Sequence, residues 1–371
     1  MKNIADNRHL IIISPETPPQ VCGVGDYSYQ LAQQLLSSDY YKSLEIAVEK
    51  NQDKTIQKQI PVKHWRKALS NVQSNAQYDL LINFTPLGFS KIAYPIAFIS
   101  ALKSFKEKNS GNRVFVLFHE VWNGNPKLRI HHKIRDYFSK KTCVAIGKIA
   151  SGISVVTYHQ KEKLEKELPE KTILLQPVGA NIYPPGNISP LLVERSRGIW
   201  VIFGLSHTRL WTLKANIGII KKLLADGGLT EIMSIGPYAD SYGAEEAAFA
   251  IEHLGVNVLK QLGKLPAELI SRELLNASGA FVGQTADSLV KSGTFLSMAA
   301  HAVPVVCNVP EIISNPPGEA LFQPDELVAN PNIIFEEAKK RTEIMLDWYK
   351  QTRSWEAIAH SVVKWMQGPQ G

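Results

Sequence analysis

The chain has 371 residues, 44% of them hydrophobic and 20% charged, and 41 basic against 34 acidic side chains leave a formal net charge of +7. That length suits about two globular domains. No run approaches 18 apolar residues, so no transmembrane helix is expected. The start, Met1–Leu10, is polar and lacks the apolar core of a signal peptide. Cys22, Cys143 and Cys307 are widely spaced with no C-x-x-C pair, which argues against a disulfide framework or a structural zinc site. Small buried thiols in a reducing, cytoplasmic setting are the expectation. The positive charge is not gathered into an arginine-rich arm, so no nucleic-acid partner is expected. It suits an anionic ligand, or weak peripheral attraction to the anionic inner face of a membrane.

The first element is Leu10–Ile13, a short β-branched and aliphatic run that reads as a buried parallel strand. Pro15, Pro18 and Pro19 interrupt regular structure. Gly23-Val24-Gly25 follows, and an amphipathic helix over Tyr27–Ser38 opens near Asp26. Strand, glycine loop and helix can turn free N–H groups and the positive end of a helix toward an anion. Plain turn geometry is the simpler reading. The spacing is neither G-x-G-x-x-G nor a Walker loop.

Further strands are predicted over Leu44–Val48, Leu80–Asn83, Val114–Phe118, Gly152–Val156 and Thr172–Leu175. A second series follows over Ile199–Phe203, Glu231–Ile235, Val256–Leu259, Gly279–Val282 and Val303–Val306, with helical patterns between. Such alternation predicts an α/β protein with doubly wound parallel sheets, whose ligands sit outside the carboxyl ends of the strands. Asn181–Pro190, with three prolines and a glycine, reads as a linker. The expectation is two Rossmann-like domains facing a cleft, residues 1–183 and 184–371. Residues 332–367 are helical in pattern, with Trp348, Tyr349, Trp355 and Trp365 as packing anchors.

Lys291-Ser292-Gly293-Thr294 precedes a helix over Thr294–His301. Ser292 or Thr294 can cap it, which leaves either a phosphate cradle with Lys291 beside it or an ordinary N-cap. His119 and Glu120 end the Val114–Phe118 strand, at the ligand-binding edge of the first sheet. Asp26 either acts on a substrate or caps its helix. No D-x-D, H-E-x-x-H or G-x-S-x-G is present, and metal dependence is not expected.

The order of Pro18–Tyr27, His119-Glu120, Pro177–Asn181, Phe203-Gly204, Gly263–Pro266, Lys291–Thr294, Ala300–Val306 and Ser354–Glu356 resembles the GT-B glycosyltransferases, and family 4, a retaining group, in particular. The resemblance implies a GT-B fold. Its first domain would take the acceptor and its second the nucleotide sugar, and the terminal helix could pack back on the first. It implies transfer of glucose from UDP-glucose, or of a related sugar, to a polysaccharide or lipid-linked glycan, without a cofactor or metal. It assigns His119, Glu120 and Asp26 to the reacting sugar and acceptor. It assigns Gly23, Gly25, Arg209, Lys214, Lys264, Leu265, Lys291, Ser292, Gly293 and Thr294 to the donor, with His207 a further candidate. Arg209 and Lys214 would take the cationic role on the leaving diphosphate.

The family's Glu, seven residues, Glu pattern is absent. Ser297 and Leu289 stand in its two places, within a stretch whose Lys-Ser-Gly-Thr turn resembles some bacterial branches. The substitution motivates an alternative reading, a nucleotide-sugar-binding paralogue with weakened catalysis or a donor hydrolase. A two-domain small-molecule-binding protein is a third.

Overall fold

The computed structural model of the chain describes residues 8–20, 22–37, 40–49, 54–56, 60–125, 129–186, 195–308 and 315–368. The later part of the expected linker, from Asn187 on, lies outside them. Among the described residues one compact unit ends at Val178 and takes the chain back from Trp355 onward; the other runs from Gly179 to Ser354.

The first unit is built on eight strands: β1 Arg8–Ser14, β2 Ser43–Val48, β3 Lys54–Ile56, β4 Ile60–His64, β5 Gln77–Phe84, β6 Arg113–Phe118, β7 Gly152–Val155 and β8 Ile173–Leu175. Their order in the sheet is β3-β4-β2-β1-β5-β6-β7-β8. All neighbours are parallel except the β3–β4 pair. Leu10 to Ile13 are all buried, as a parallel strand covered on both faces requires. The chain fills the sheet from β1 toward β4 and then returns to β5 on the other side. The carboxyl ends of β1 and β5 therefore flank a switch point, where open α/β sheets bind ligands.

At the opposite, amino edge, buried Asp79 accepts from Arg8 Nε (2.9 Å) and from Arg113 Nε and Nη2 (2.8 and 2.6 Å). That cluster ties β1, β5 and β6 together away from the switch point. The terminal helix Trp355–Gln367 completes the unit. Trp355 stands edge-on to Tyr27 at 5.3 Å, and Trp365 to Phe115 at 5.4 Å.

The second unit holds β9 Ser196–Phe203, β10 Leu229–Ile235, β11 Leu259–Gly263, β12 Ala277–Val282 and β13 Val305–Cys307, all parallel, in the order β11-β10-β9-β12-β13. Its switch point lies between β9 and β12. Trp200, fully buried, stacks on Phe281 at 4.5 Å in the core beneath. Arg195 enters this unit as a clamp. Its Nη1 donates to the carbonyls of Leu274, Leu275 and Ala277, and its Nη2 to those of His301 and Ala302. One guanidinium thus satisfies the carbonyl ends of two helices, Ala267–Asn276 and Gly293–Ala300, which the helix dipole favours.

Two local expectations need correction, and two strands went unread. The strand expected over Val256–Leu259 forms instead at Leu259–Gly263, and Val256 is 75% exposed. An edge strand reading Leu-Lys-Gln-Leu-Gly has too little apolar periodicity to announce itself. The unread strands are β3, which has only three residues, and β4 beside it, which carries Pro61. The first helix opens at Gly23, not Asp26, because Cys22 caps it by accepting from the Gly25 N–H.

Candidate functional site

In the second unit glycine follows or ends four of the five strands, at Gly204, Gly236, Gly263 and Gly283. Gly204 and Gly236 hold φ of +148° and +136°, where a side chain would be strained. A Cβ on Gly236 would also strike the Gly204 carbonyl and Arg209 Nη1. The Gly204 N–H donates to Ile235 O and the Gly236 N–H to Gly263 O, so the loops after β9, β10 and β11 hang from one another.

Two helix starts meet at the switch point. The helix Ser206–Ala215 follows Gly204 at once, and its N-cap Leu205 offers no side-chain acceptor. The helix Gly293–Ala300 is capped by Ser292, whose Oγ accepts from the Phe295 N–H. A Cβ on Gly204 would lie 3.8 Å from both Thr208 and Thr294, so the two first turns are neighbours. Their leading N–H groups have no acceptor within the helix, which makes this corner a place for an anion.

Ser292 Oγ also meets Thr294 Oγ1 (3.0 Å) and accepts from Gln284 Nε2 (3.3 Å). Lys291 is exposed beside this turn, and Lys264 is exposed at the carboxyl end of β11, with Leu265 half-buried next to it. His207 and Tyr242 meet edge-on at 5.9 Å. Gly293 is small because Asn181 is close: a Cβ there would fall 2.5 Å from the Asn181 amide oxygen. Asn181 thus supports the 291–294 turn, as does the Ile182 N–H, which donates to Ser297 Oγ (3.1 Å).

Arg209 and Lys214 are not placed for an anion. The Arg209 side chain is fully buried. Its Nε donates to Ser234 Oγ (2.7 Å), Nη1 to Gly204 O (2.7 Å) and Pro237 O (3.0 Å), and Nη2 to Glu246 Oε2 (2.9 Å). Its charge is met by Glu246, itself fully buried. What it does is hold the loops after β9 and β10 from beneath. Lys214 sits eight residues into its helix, about 12 Å from the start at 1.5 Å per residue. It pairs with Glu245 at 2.5 Å. Of the two positions where family 4 carries glutamate, Leu289 is fully buried and Ser297 Oγ donates to Gly293 O (2.7 Å). Both serve packing.

In the first unit His119 follows β6 and Asn83 lies in β5 beside it. His119 Nε2 is 3.2 Å from Asn83 Oδ1, Asn83 Nδ2 donates to Ser28 Oγ (2.8 Å), and Ser28 Oγ donates to Val24 O (2.7 Å). Gln160 Nε2 donates to His119 O (2.9 Å), and the Tyr27 ring stands edge-on to the imidazole at 4.7 Å. Burial pushes the His119 pKa down to about 3, so the ring is neutral. Glu120 is exposed at the same edge.

Asp26 does not cap its helix. It lies in the first turn, half-buried, and burial pushes its carboxyl up to about 6. Gly25 is buried against the chain itself: a Cβ would fall 2.7 Å from Glu16 O. Its smallness serves helix-on-loop packing, not the close approach of a ligand. Gly23 is the open one, exposed with nothing within 4 Å of a Cβ. Sequence reading missed Asn83, Ser28 and Arg195. Asn83 was legible in principle, as a polar residue near the carboxyl end of an apolar strand. Among the described residues no three His, Cys, Asp or Glu side chains gather where they could hold a metal ion.

Comparison with known proteins adds the fold. No protein-family model and no curated protein sequence matches the chain. Solved structures do. An α-glucosyltransferase in complex with UDP and a 13-mer DNA is 12% identical with a TM-score of 0.64, over 97% of this chain and 99% of that one. The α,α-trehalose 6-phosphate synthase of Burkholderia multivorans is 10% identical at 0.61, over 96% and 95%. Anabaena HepE in complex with UDP and glucose is 12% identical at 0.56, over 97% and 99%. These likenesses span both units, and the fold is GT-B: two Rossmann-like α/β domains.

Proposed function

We propose that the protein is a glycosyltransferase that moves a sugar, glucose from UDP-glucose, to a polysaccharide or lipid-linked glycan with retention at the anomeric carbon. The observation that carries the reading is the meeting of two helix N-termini with Lys291 at the switch point of the second sheet. That corner supplies what a nucleoside diphosphate needs, free N–H groups and a cation. The similar structures add support, since two of those named hold UDP. Retention rests on the resemblance to family 4.

In this reading Gly293, Thr294, Lys291 and Lys264 receive the diphosphate and stabilise the charge that grows as the glycosidic bond breaks. Neutral His119 accepts from a sugar hydroxyl through Nδ1. Asp26, as a carboxylate made more basic by burial, takes the proton from the acceptor hydroxyl as UDP leaves the anomeric carbon, and Glu120 orients the acceptor. No step needs a metal. The absence of carboxylates at Ser297 and Leu289 favours one alternative, a binding protein or donor hydrolase.

The test is to incubate the protein with UDP-glucose and candidate glycans in excess EDTA and to follow products by NMR. An α-linked product or α-glucose as the first released anomer supports the reading. A β anomer refutes retention. Activity restored only by magnesium or manganese refutes metal independence, and UDP binding without turnover selects the alternative.

A further inference from the structure

The first unit carries an exposed face that the proposed transfer does not use. Every residue from Arg129 to Arg135, around the start of the helix Ile130–Ile149, is exposed. Ile130, Ile134 and Tyr137 are 73%, 54% and 56% exposed. Spaced i, i+4 and i+7, they share one helix face.

The segment before the helix Ile96–Lys108 packs beside it, through Tyr94 against Phe138 (5.4 Å) and Thr142 Oγ1 donating to Ala93 O (2.6 Å). That segment and the first residue of its helix add exposed Ile92 and Ile96, 60% and 64%. Cations border this stripe: exposed Lys133 and Lys141 lie on the same side of the helix, Lys141 Nζ 5.5 Å over the Tyr137 ring, and exposed Arg129 precedes its start. The helix has a single acid, Asp136, and its carboxylate is occupied: it accepts from the Asn123 N–H and from the Gly124 N–H at 2.9 Å.

Charge decides the occupant. An apolar stripe bordered by lysine and arginine, with the helix's one acid engaged elsewhere, complements an anionic lipid surface. A second copy of the chain would bring like charges together across a self-complementary interface. Lysine is depleted in protein–protein interfaces. We propose that this face docks on an anionic bilayer surface, with Ile130, Ile134 and Ile96 entering the headgroup boundary and Arg129, Lys133 and Lys141 meeting lipid phosphates. The proposal is independent of the transfer reaction.

The test is co-sedimentation of the whole chain with phosphatidylcholine vesicles, with and without 30% phosphatidylglycerol, at low and high salt. Partition onto the anionic vesicles should exceed that onto neutral ones at least tenfold and fall with salt. The pairs Ile130→Ser with Ile134→Ser, and Lys133→Glu with Lys141→Glu, should each lower it at least tenfold with an unchanged melting temperature, because all four side chains are exposed. Absent partition, or partition that survives in both double variants, overturns the proposal. A wild-type dimer abolished by the isoleucine pair overturns it in favour of a second copy.

Discussion

His119 Nε2 faces Asn83 Oδ1 at 3.2 Å, and the direction of that hydrogen bond is set by two residues of the first helix. Ser28 Oγ gives its proton to Val24 O and so accepts from Asn83 Nδ2. The amide oxygen is then what meets the imidazole, so Nε2 carries the proton and donates. With the ring neutral, Nδ1 is left as an acceptor. His119→Ala should therefore lower kcat by about a hundredfold, within the range of a positioned polar catalyst, and leave UDP affinity within about twofold. Asn83→Leu should lower kcat in the same sense and change the imidazole 15N shifts from those of the Nε2–H tautomer. Steady-state kinetics, UDP titration and NMR check both, and near wild-type turnover in His119→Ala would make the histidine structural.

Asp26 predicts a pH dependence of known sign. In an unfolded chain its carboxyl ionises at about 3.9, whereas in the fold burial raises it to about 6. Between those values the folded state holds a proton that the unfolded state has lost. The group's favourable contribution is complete below about pH 4 and is lost as pH rises through about 6. Asp26→Asn should melt a few degrees above wild type at pH 7.5, converge with it near pH 4, and lose turnover. Melting curves across that range decide it, and a variant less stable at pH 7.5 would contradict the sign.

The two loop glycines should separate. Gly25→Val drives a side chain into the Glu16 carbonyl, and overpacking of this kind costs about 1–3 kcal/mol. Gly23→Ala meets open space and should change stability by less than about 1 kcal/mol. If Gly23→Ala lowers turnover while its melting curve is unchanged, a ligand passes close to that backbone. Equal stability of the two variants would contradict the packing argument.

Arg209 and Lys291 should separate as sharply. Arg209→Met leaves Glu246 charged and buried without its partner, a loss of about 3–5 kcal/mol. Lys291→Ala removes an exposed cation, so its melting curve should match wild type while UDP binds about tenfold or more weakly, a charge-assisted contact of about 1.5–3 kcal/mol. Chemical denaturation and calorimetry measure both effects.

Most strands were legible because parallel strands covered on both faces read as short apolar runs. Leu10–Ile13 lies within β1 Arg8–Ser14, and Val114–Phe118 within β6 Arg113–Phe118. Three strands were not: β3 has only three residues, β4 beside it carries Pro61, and β11 reads Leu-Lys-Gln-Leu-Gly without a period-2 alternation. Position after a strand singled out His119 as a candidate, and a capping pattern before a helix singled out the Lys291–Thr294 turn. They could not reveal which charges are already satisfied. Arg209 and Lys291 look alike in sequence, and only the burial of Glu246 beside one of them tells structural cation from exposed one. Gly23 and Gly25 likewise differ only in what the fold places opposite them.

The most direct measurement of the central claim is calorimetric titration of UDP, with GDP and ADP as comparisons, into wild type and Lys291→Ala. The account predicts saturable UDP binding by the wild type and affinity at least tenfold lower in the variant, with both proteins folded. Absence of binding by any of the three nucleotides, or identical UDP affinity in the two proteins, would contradict a diphosphate site at the 291–294 turn.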